Sequence, residues 1–211
     1  MKISHFRRDY LKSGLQRKDL DGDPINQFGD WLGQARDTDM VDPTAMTLAT
    51  VNGQGQPSQR TVLLKYFDQN GFVFFTNYSS RKSQEIGDNP RVSLLFVWLE
   101  LERQIQISGT ARRISTADSV QYFLSRPQDS QVAAWVSHQS SIISSRSLLM
   151  QKFKEMKTKF SEGKVPLPSF WGGYRVTPHE FEFWQGGKDR LHDRFRYRPD
   201  DNGWMIERLA P

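Results

Sequence analysis

The chain has 211 residues, 36% hydrophobic and 25% charged, and its 14 Phe and 6 Trp exclude a disordered polypeptide. No apolar run approaches the roughly 20 residues needed to span a bilayer, the opening MKISHFRRDY has no apolar secretory core, and the absence of Cys excludes disulfides and thiolate metal sites while fitting a cytoplasmic protein. The net charge of +5 favours anionic partners, and its cations are dispersed among serines and glycines, a pattern of several phosphate contacts rather than a nucleic-acid stripe.

In chain order, residues 1–23 are polar and basic and are expected to form a mobile arm, followed by one domain over 24–211. Pro24 opens an amphipathic helix with Ile25, Phe28, Trp31 and Leu32 at helical spacing, and Asp42-Pro43 closes that unit. Strands are expected over 45–51, 60–67, 72–77, 92–98 and 104–111, with turns at Asn52-Gly53-Gln54-Gly55 and Gln69-Asn70-Gly71. In the last of these, Ile105 and Ile107 point one way, and Gln104, Gln106 and Ser108 the other. Helices follow over 116–126, from about Pro127, and over 145–160, the last with an apolar stripe of Leu148, Leu149, Phe153, Met156 and Phe160. After a loop at 163–169, strands return over 173–176, 180–185, 190–198 and 204–209. Short antiparallel strands with helices grouped between them indicate an α+β, barrel-like fold; the alternating βαβ pattern and the GxGxxG of a Rossmann fold are missing.

Five groups of residues could carry chemistry. In WQGGKDRLHDR, a strand after Gly186-Gly187 would put Arg190, His192 and Arg194 on one face and Leu191, Asp193 and Phe195 on the other. Two cations beside an imidazole suit a phosphorylated ligand; a charged edge strand is the alternative. The run Asn77-Tyr78-Ser79-Ser80-Arg81-Lys82 sits where a strand meets a short helix, so free N–H groups and two cations would face an anion there, or the serines simply cap the helix. RTVLLK, residues 60–65, has an apolar middle that implies burial, so Arg60 and Lys65 need anionic partners or must snorkel to water. Their odd separation sends them to opposite faces of a regular strand unless a bulge intervenes or they serve different parts of a ligand. Tyr122 and Arg126 share a helix face near Ser130, a grouping that can grip a phosphate. Gln104, with Gln139 and Ser140, offers amide donors and acceptors to a heterocycle. The four histidines are scattered, and neither HExxH nor GxSxG occurs, so no metal and no serine nucleophile is expected.

RTVLLK, FFTNYSSRKSQ, NPRVSLLF, LERQ, SRPQDSQ, VPLPSFWGGYRV and FWQGGKDRLHDRF with the ending ERLAP together resemble the pyridoxine/pyridoxamine 5′-phosphate oxidase family, over nearly the whole chain from Arg7 to Pro211. The resemblance implies an antiparallel FMN-binding split β-barrel of Greek-key type with peripheral helices, working as a homodimer with its active sites at the subunit interface. It implies oxidation of pyridoxamine and pyridoxine 5′-phosphates to pyridoxal 5′-phosphate, with O2 reduced to H2O2. By similarity, Arg60, Thr61, Val62, Leu63, Leu64, Lys65, Phe75, Thr76, Ser80, Arg81, Lys82, Gln104, Gln139, Ser140, Trp184 and Arg194 would contact FMN. Lys65, Tyr122, Arg126 and Ser130 would hold the substrate phosphate, Arg190, Leu191 and His192 would border the pyridine ring, and Arg7, Arg8, Asp9 and Tyr10 would close over it. Arg190 and His192 are the expected catalytic pair. The family often has Tyr where this chain has Phe75. Competing classes are a non-catalytic flavin or pyridoxal-phosphate carrier on the same barrel, against which the substrate-side residues argue, and a basic nucleic-acid binder.

Overall fold

The computed structural model describes residues 10 and 14–211. Helix α1 (Pro24–Arg36) starts where the sequence places it: Asp23 caps it by accepting from the Ile25 N–H at 2.7 Å, and Pro24 occupies the first turn. Its stripe of Ile25, Phe28, Trp31 and Leu32 is buried. Leu15 and Leu20, within the expected arm, also belong to this core, and Tyr197 Oη donates to the Asp21 carbonyl at 2.9 Å. The domain's packing thus begins well before residue 24.

Among the described residues nine antiparallel strands form one sheet, seven of them in the order β2 (Pro57–Leu63), β1 (Ala45–Val51), β5 (Arg91–Trp98), β6 (Arg103–Arg113), β7 (Trp171–Gln185), β4 (Gly71–Asn77), β3 (Tyr66–Asp68). β8 (Asp193–Asp200) pairs with β7, and β9 (Gly203–Leu209) with β8. The two expected strands at 173–176 and 180–185 are one long strand, β7. β6 runs along one edge of it, while the other edge is shared in succession by β4 (Trp171 to Val176) and β8 (Phe181 to Gln185). The sheet therefore forks at β7. A register shift falls at Ser108/Gly109; a Cβ on Gly109 would lie 2.6 Å from the Thr177 carbonyl oxygen, so only glycine permits the close approach there.

The sheet also curls. Phe28 meets Phe67 of β3 (4.9 Å between ring centroids), Phe72 of β4 (4.8 Å) and Phe96 of β5 (5.0 Å), although β6 and β7 separate β5 from β4 in the sheet order. One helix side chain closing that gap fixes the curvature, and truncating a ring so enclosed costs ~3–5 kcal/mol.

A smaller core lies under α3 (Thr116–Ser125), α4 (Gln128–Val136) and α5 (Arg146–Lys159), around Phe123, Val132, Ala134, Val165 and Trp171. Of the expected α5 stripe, Phe153, Met156 and Phe160 pack against it, whereas Leu148 is 42% exposed. No helix among the described residues is long and apolar enough to cross a membrane.

Candidate active site

The expected strand 60–67 is broken. β2 ends at Leu63; the Leu64 N–H then donates to the Thr44 carbonyl and the Lys65 N–H to the Val73 carbonyl, each at 2.9 Å, before β3 begins at Tyr66. This break removes the parity difficulty, because Arg60 and Lys65 now line one cavity of about 600 Å³ together with Thr61, Val62 and Leu63. The implied burial of the RTVLLK middle holds for Leu64 alone. β2 is the edge of the sheet, and Thr61 and Leu63 are exposed.

Across the cavity stands the start of α2 (Arg81–Asp88). Asn77 shapes the approach: its Oδ1 accepts from the Ser79 N–H (2.7 Å), and its Nδ2 donates to the Ser137 carbonyl (2.9 Å). Ser80 occupies the N-cap position but makes no side-chain cap; its hydroxyl bonds Ser83 Oγ at 3.3 Å, so serine capping is not what the run provides. Lys82 is buried and donates from Nζ to Gln139 Oε1 (2.7 Å), Thr76 Oγ1 (3.1 Å) and Ser80 Oγ (3.5 Å). Burial, reinforced by the Arg60 charge and opposed by Glu85, pulls its pKa down to about 8. Lys82, Thr76, Asn77 and Gln139 line the cavity; Arg81 is turned to Glu85 (2.8 Å) and does not.

The third wall comes from α3 and α4. Helix α3 stops at Ser125, one residue short of the expected end, leaving Arg126 extended, yet Tyr122 and Arg126 both reach the cavity. Phe75 stacks on Tyr122 (3.9 Å between centroids, 19°) and on Trp171 (5.3 Å, 14°), and the Arg126 guanidinium lies 4.7 Å over the Trp171 ring. Burial raises the Tyr122 pKa and lowers that of Arg126. Arg126 Nη1 is buried and has no hydrogen-bond partner among the described residues. A buried guanidinium N–H without an acceptor is costly, so the arrangement suits an anionic oxygen placed there. Ser130 does not line the cavity itself but lies one turn before Ala133 and Ala134 of α4, which do. Ala133, Ala134, Ser137 and Trp171 are cavity residues that sequence reasoning missed; only Trp171, inside the SFWGGY motif, carried a signal.

The remaining site residues gather elsewhere. None of Gln104, Trp184, Arg190, His192 and Arg194 lines this cavity. The expected strand 190–198 begins only at Asp193. Residues 188–190 form a tight turn with Asp189 at φ 55° and Arg190 at φ 64°, so Arg190, His192 and Arg194 do not share a strand face. Non-glycine residues held in the left-handed region are strained and concentrate at functional positions. His192 Nδ1 accepts from the Gly187 N–H at 3.1 Å, which places the proton of a neutral imidazole on Nε2. Tyr10 packs edge-on against Trp184 (5.6 Å) and His192 (5.2 Å). Gly186 makes this possible, since a Cβ there would lie 2.3 Å from the Tyr10 ring. Arg7, Arg8 and Asp9 lie outside the described residues. Gln104 pairs with Trp184 across β6 and β7. Arg194 is held by Glu182 through two bonds of 2.7 and 3.0 Å and donates to the Ala210 carbonyl at 2.8 Å. Leu191 is exposed, as is Ser140, whose φ is 72°.

Residues 35–160 match the family described as pyridoxamine 5′-phosphate oxidase, and residues 171–211 match the pyridoxine 5′-phosphate oxidase C-terminal dimerisation region. Curated relatives from Salmonella paratyphi B and Salmonella newport, both called pyridoxine/pyridoxamine 5′-phosphate oxidase, are 58% identical over 209 residues, covering 99% of this chain and 96% of each relative. Among solved structures, PhzG from Burkholderia lata in complex with tetrahydrophenazine-1-carboxylic acid superposes with a TM-score of 0.89 at 31% identity, over 97% of this chain and all of that one. A pyridoxamine 5′-phosphate oxidase-related, FMN binding protein from Nostoc punctiforme shares the fold, with a TM-score of 0.72 at 16% identity over 88% of this chain and 96% of its own. With its cation-lined cavity, forked antiparallel sheet and end-to-end likeness to these relatives, the chain belongs to the pyridoxamine 5′-phosphate oxidase family.

Proposed function

We propose that the protein is an FMN-dependent oxidase that converts pyridoxamine 5′-phosphate and pyridoxine 5′-phosphate to pyridoxal 5′-phosphate, with O2 reduced to H2O2, and that it acts as a homodimer in the cytoplasm. The observation that carries this reading is the single cavity walled by two cationic groups, Arg60 with Lys82 and Lys65 with Arg126, since cofactor and substrate each bring a phosphate. The orphaned Nη1 of Arg126 fits an anion on the substrate side, and the buried Lys82 fits one on the cofactor side.

In this assignment Arg60 and Lys82 face the FMN phosphate from the cavity, Ser80 and Arg81 support it from the start of α2 behind the lining, and 61–65, Phe75, Thr76, Gln139 and Ser140 flank the rest of the nucleotide. Lys65, Tyr122, Arg126 and Ser130 hold the substrate phosphate. Gln104, Trp184 and Arg194, with Arg190, Leu191 and His192, complete the site from the second copy. Support for that division is their absence from the cavity of their own chain and the match of 171–211 to a dimerisation region. Bound FMN supplies the redox chemistry, a hydride acceptor that O2 reoxidises. The protein's work is orientation. Arg190, on its strained turn, and His192, with Nε2–H as donor, border the pyridine and set the face presented for reaction. Tyr10 covers that side from water, and Arg7, Arg8 and Asp9 keep the substrate-closing role that the resemblance implies. Phe75 offers a ring to Tyr122 and no hydroxyl, so its contribution is packing.

The test is the visible spectrum of the purified protein. Flavin absorbance should bleach on anaerobic addition of pyridoxamine 5′-phosphate and return with air as peroxide forms. A folded protein that takes up no FMN at low salt overturns the assignment.

A further inference from the structure

Glu85 is a buried anion beside the proposed phosphate cations, and the assigned chemistry gives it no task. Its side chain is 4% exposed, and four side chains from three elements converge on it. Thr50 Oγ1 of β1 (2.5 Å), Ser58 Oγ (2.6 Å) and Arg60 Nη2 of β2 (3.1 Å) donate to Oε2; Arg81 Nε of α2 donates to Oε1 (2.8 Å). Thr50 and Ser58 each do double duty. Their hydroxyls donate to the carboxylate while accepting from Arg60 Nη1 and Nη2, both at 2.5 Å. Arg60 Nη1 also donates to the Leu48 carbonyl at 3.1 Å. The guanidinium is thereby fixed on one side by a closed ring of bonds, while the residue lines the cavity and Glu85 does not.

The location explains why such a clamp is needed. Among the described residues β2 is the outermost strand at its end of the sheet, with no further strand to order its side chains. Glu85, reaching across from α2, takes that part. It also sets the charge: Arg60, Arg81 and Lys82 against one carboxylate leave a surplus of two positive charges, the match for a phosphate dianion.

We propose that Glu85 is a positioning residue for phosphate recognition, holding Arg60 rigid and tying edge strand β2 to α2 so that both present their cations to one phosphoryl group. The inference rests on the FMN assignment above and concerns the phosphate end alone. Arg60 is a fixed partner because its orientation is set before the ligand arrives.

The experiment compares FMN with riboflavin, which lacks the phosphate, by titrating apoprotein and following quenching of flavin fluorescence. Glu85→Ala should raise the FMN Kd by at least about tenfold, ~1.4 kcal/mol, with riboflavin changed by less than about twofold. Glu85→Asp, which keeps the charge but is too short to reach both arginines, should shift the same ratio and serves if the alanine variant does not fold. Equal weakening of both ligands marks a merely structural role and refutes the proposal, as does an unchanged FMN Kd. Wild-type protein that binds neither flavin overturns the FMN assignment itself, an outcome distinct from both.

Discussion

Lys82 Nζ lies 2.7 Å from Gln139 Oε1, so a buried ammonium at the start of α2 holds the loop that follows α4. With Lys82 on the cofactor phosphate, as proposed, cofactor binding should be pH-dependent. Burial first, and Arg60 second, hold the ligand-free Lys82 pKa down at about 8, with Glu85 opposing. A phosphate dianion beside it raises that value. Protons are then taken up on binding, and affinity is full below pH 8 and falls as pH rises through it. The phosphate's own second ionisation, near ~6, lies well below this window. FMN titrations at about pH 7 and about pH 9.5 should show the loss, and Lys82→Arg, which cannot deprotonate there, should flatten it. A profile identical in both proteins would remove Lys82 from the phosphate site.

Acid stability should depend on Glu85. Burial alone would raise its pKa, but the bonds from Ser58, Thr50, Arg81 and Arg60 outweigh that and bring it from 4.5 down to about 2. Because the folded value is the lower one, the stabilisation is complete above pH 4.5 and is lost as pH falls towards 2. The shift corresponds to roughly 3 kcal/mol. Denaturant midpoints at about pH 5 and about pH 3 should fall apart for the wild type and converge for Glu85→Gln. Parallel losses in both would assign the acid sensitivity to other carboxylates.

What the sequence made legible, and what it did not, has a physical pattern. Period-two alternation gave β6, whose Ile105 and Ile107 are fully buried, and Pro24 with the helical spacing of Ile25, Phe28, Trp31 and Leu32 gave α1. Local periodicity could not show that the run at 60–67 breaks at Leu64-Lys65, because the break is made by bonds to Thr44 and Val73, distant in sequence. Nor could it show that Arg190 sits on a left-handed turn, where alternation has no meaning. The cavity's cations were visible as residue types. Their counter-ion was not: Arg60 meets Glu85, 25 positions away, through a sheet edge that only the tertiary structure defines. The same holds for Gly172, whose missing side chain leaves room for Tyr78 Oη to reach the Gly173 carbonyl at 3.1 Å.

Arg126 should separate substrate binding from cofactor binding. Its unpartnered Nη1 and its place over Trp171 mark it as waiting for an anion on the α3 side of the cavity. Arg126→Met keeps an unbranched apolar stem but removes the guanidinium over Trp171 and with it every donor. A lost charge-assisted contact of ~1.5–3 kcal/mol predicts roughly a 10- to 150-fold lower kcat/KM for pyridoxamine 5′-phosphate, with FMN retained. Steady-state kinetics and the flavin-to-protein ratio decide it; loss of flavin in step with activity would assign Arg126 to the cofactor instead.

The two groups of site residues sit in different places on one chain, the cavity with Arg126 and the turn with Arg190, and this predicts complementation between defective copies. Arg190→Leu alone should depress turnover far more than FMN retention, because Arg190 is exposed on its own chain and lines no part of that chain's cavity. Arg126→Met alone should be defective for the reason already given. If each site draws its cavity from one copy and its Arg190 turn from the other, a mixed dimer has one site carrying both defects and one carrying neither. Random reassortment of equal amounts makes half of the dimers mixed, so activity should recover to about a quarter of the wild-type value. Unfolding and refolding the two variants together, against each refolded separately, provides the measurement. Recovery no greater than the sum of the separate proteins would mean that each chain completes its own site, and the assignment of Gln104, Trp184, Arg190, His192 and Arg194 to the second copy would fall with it.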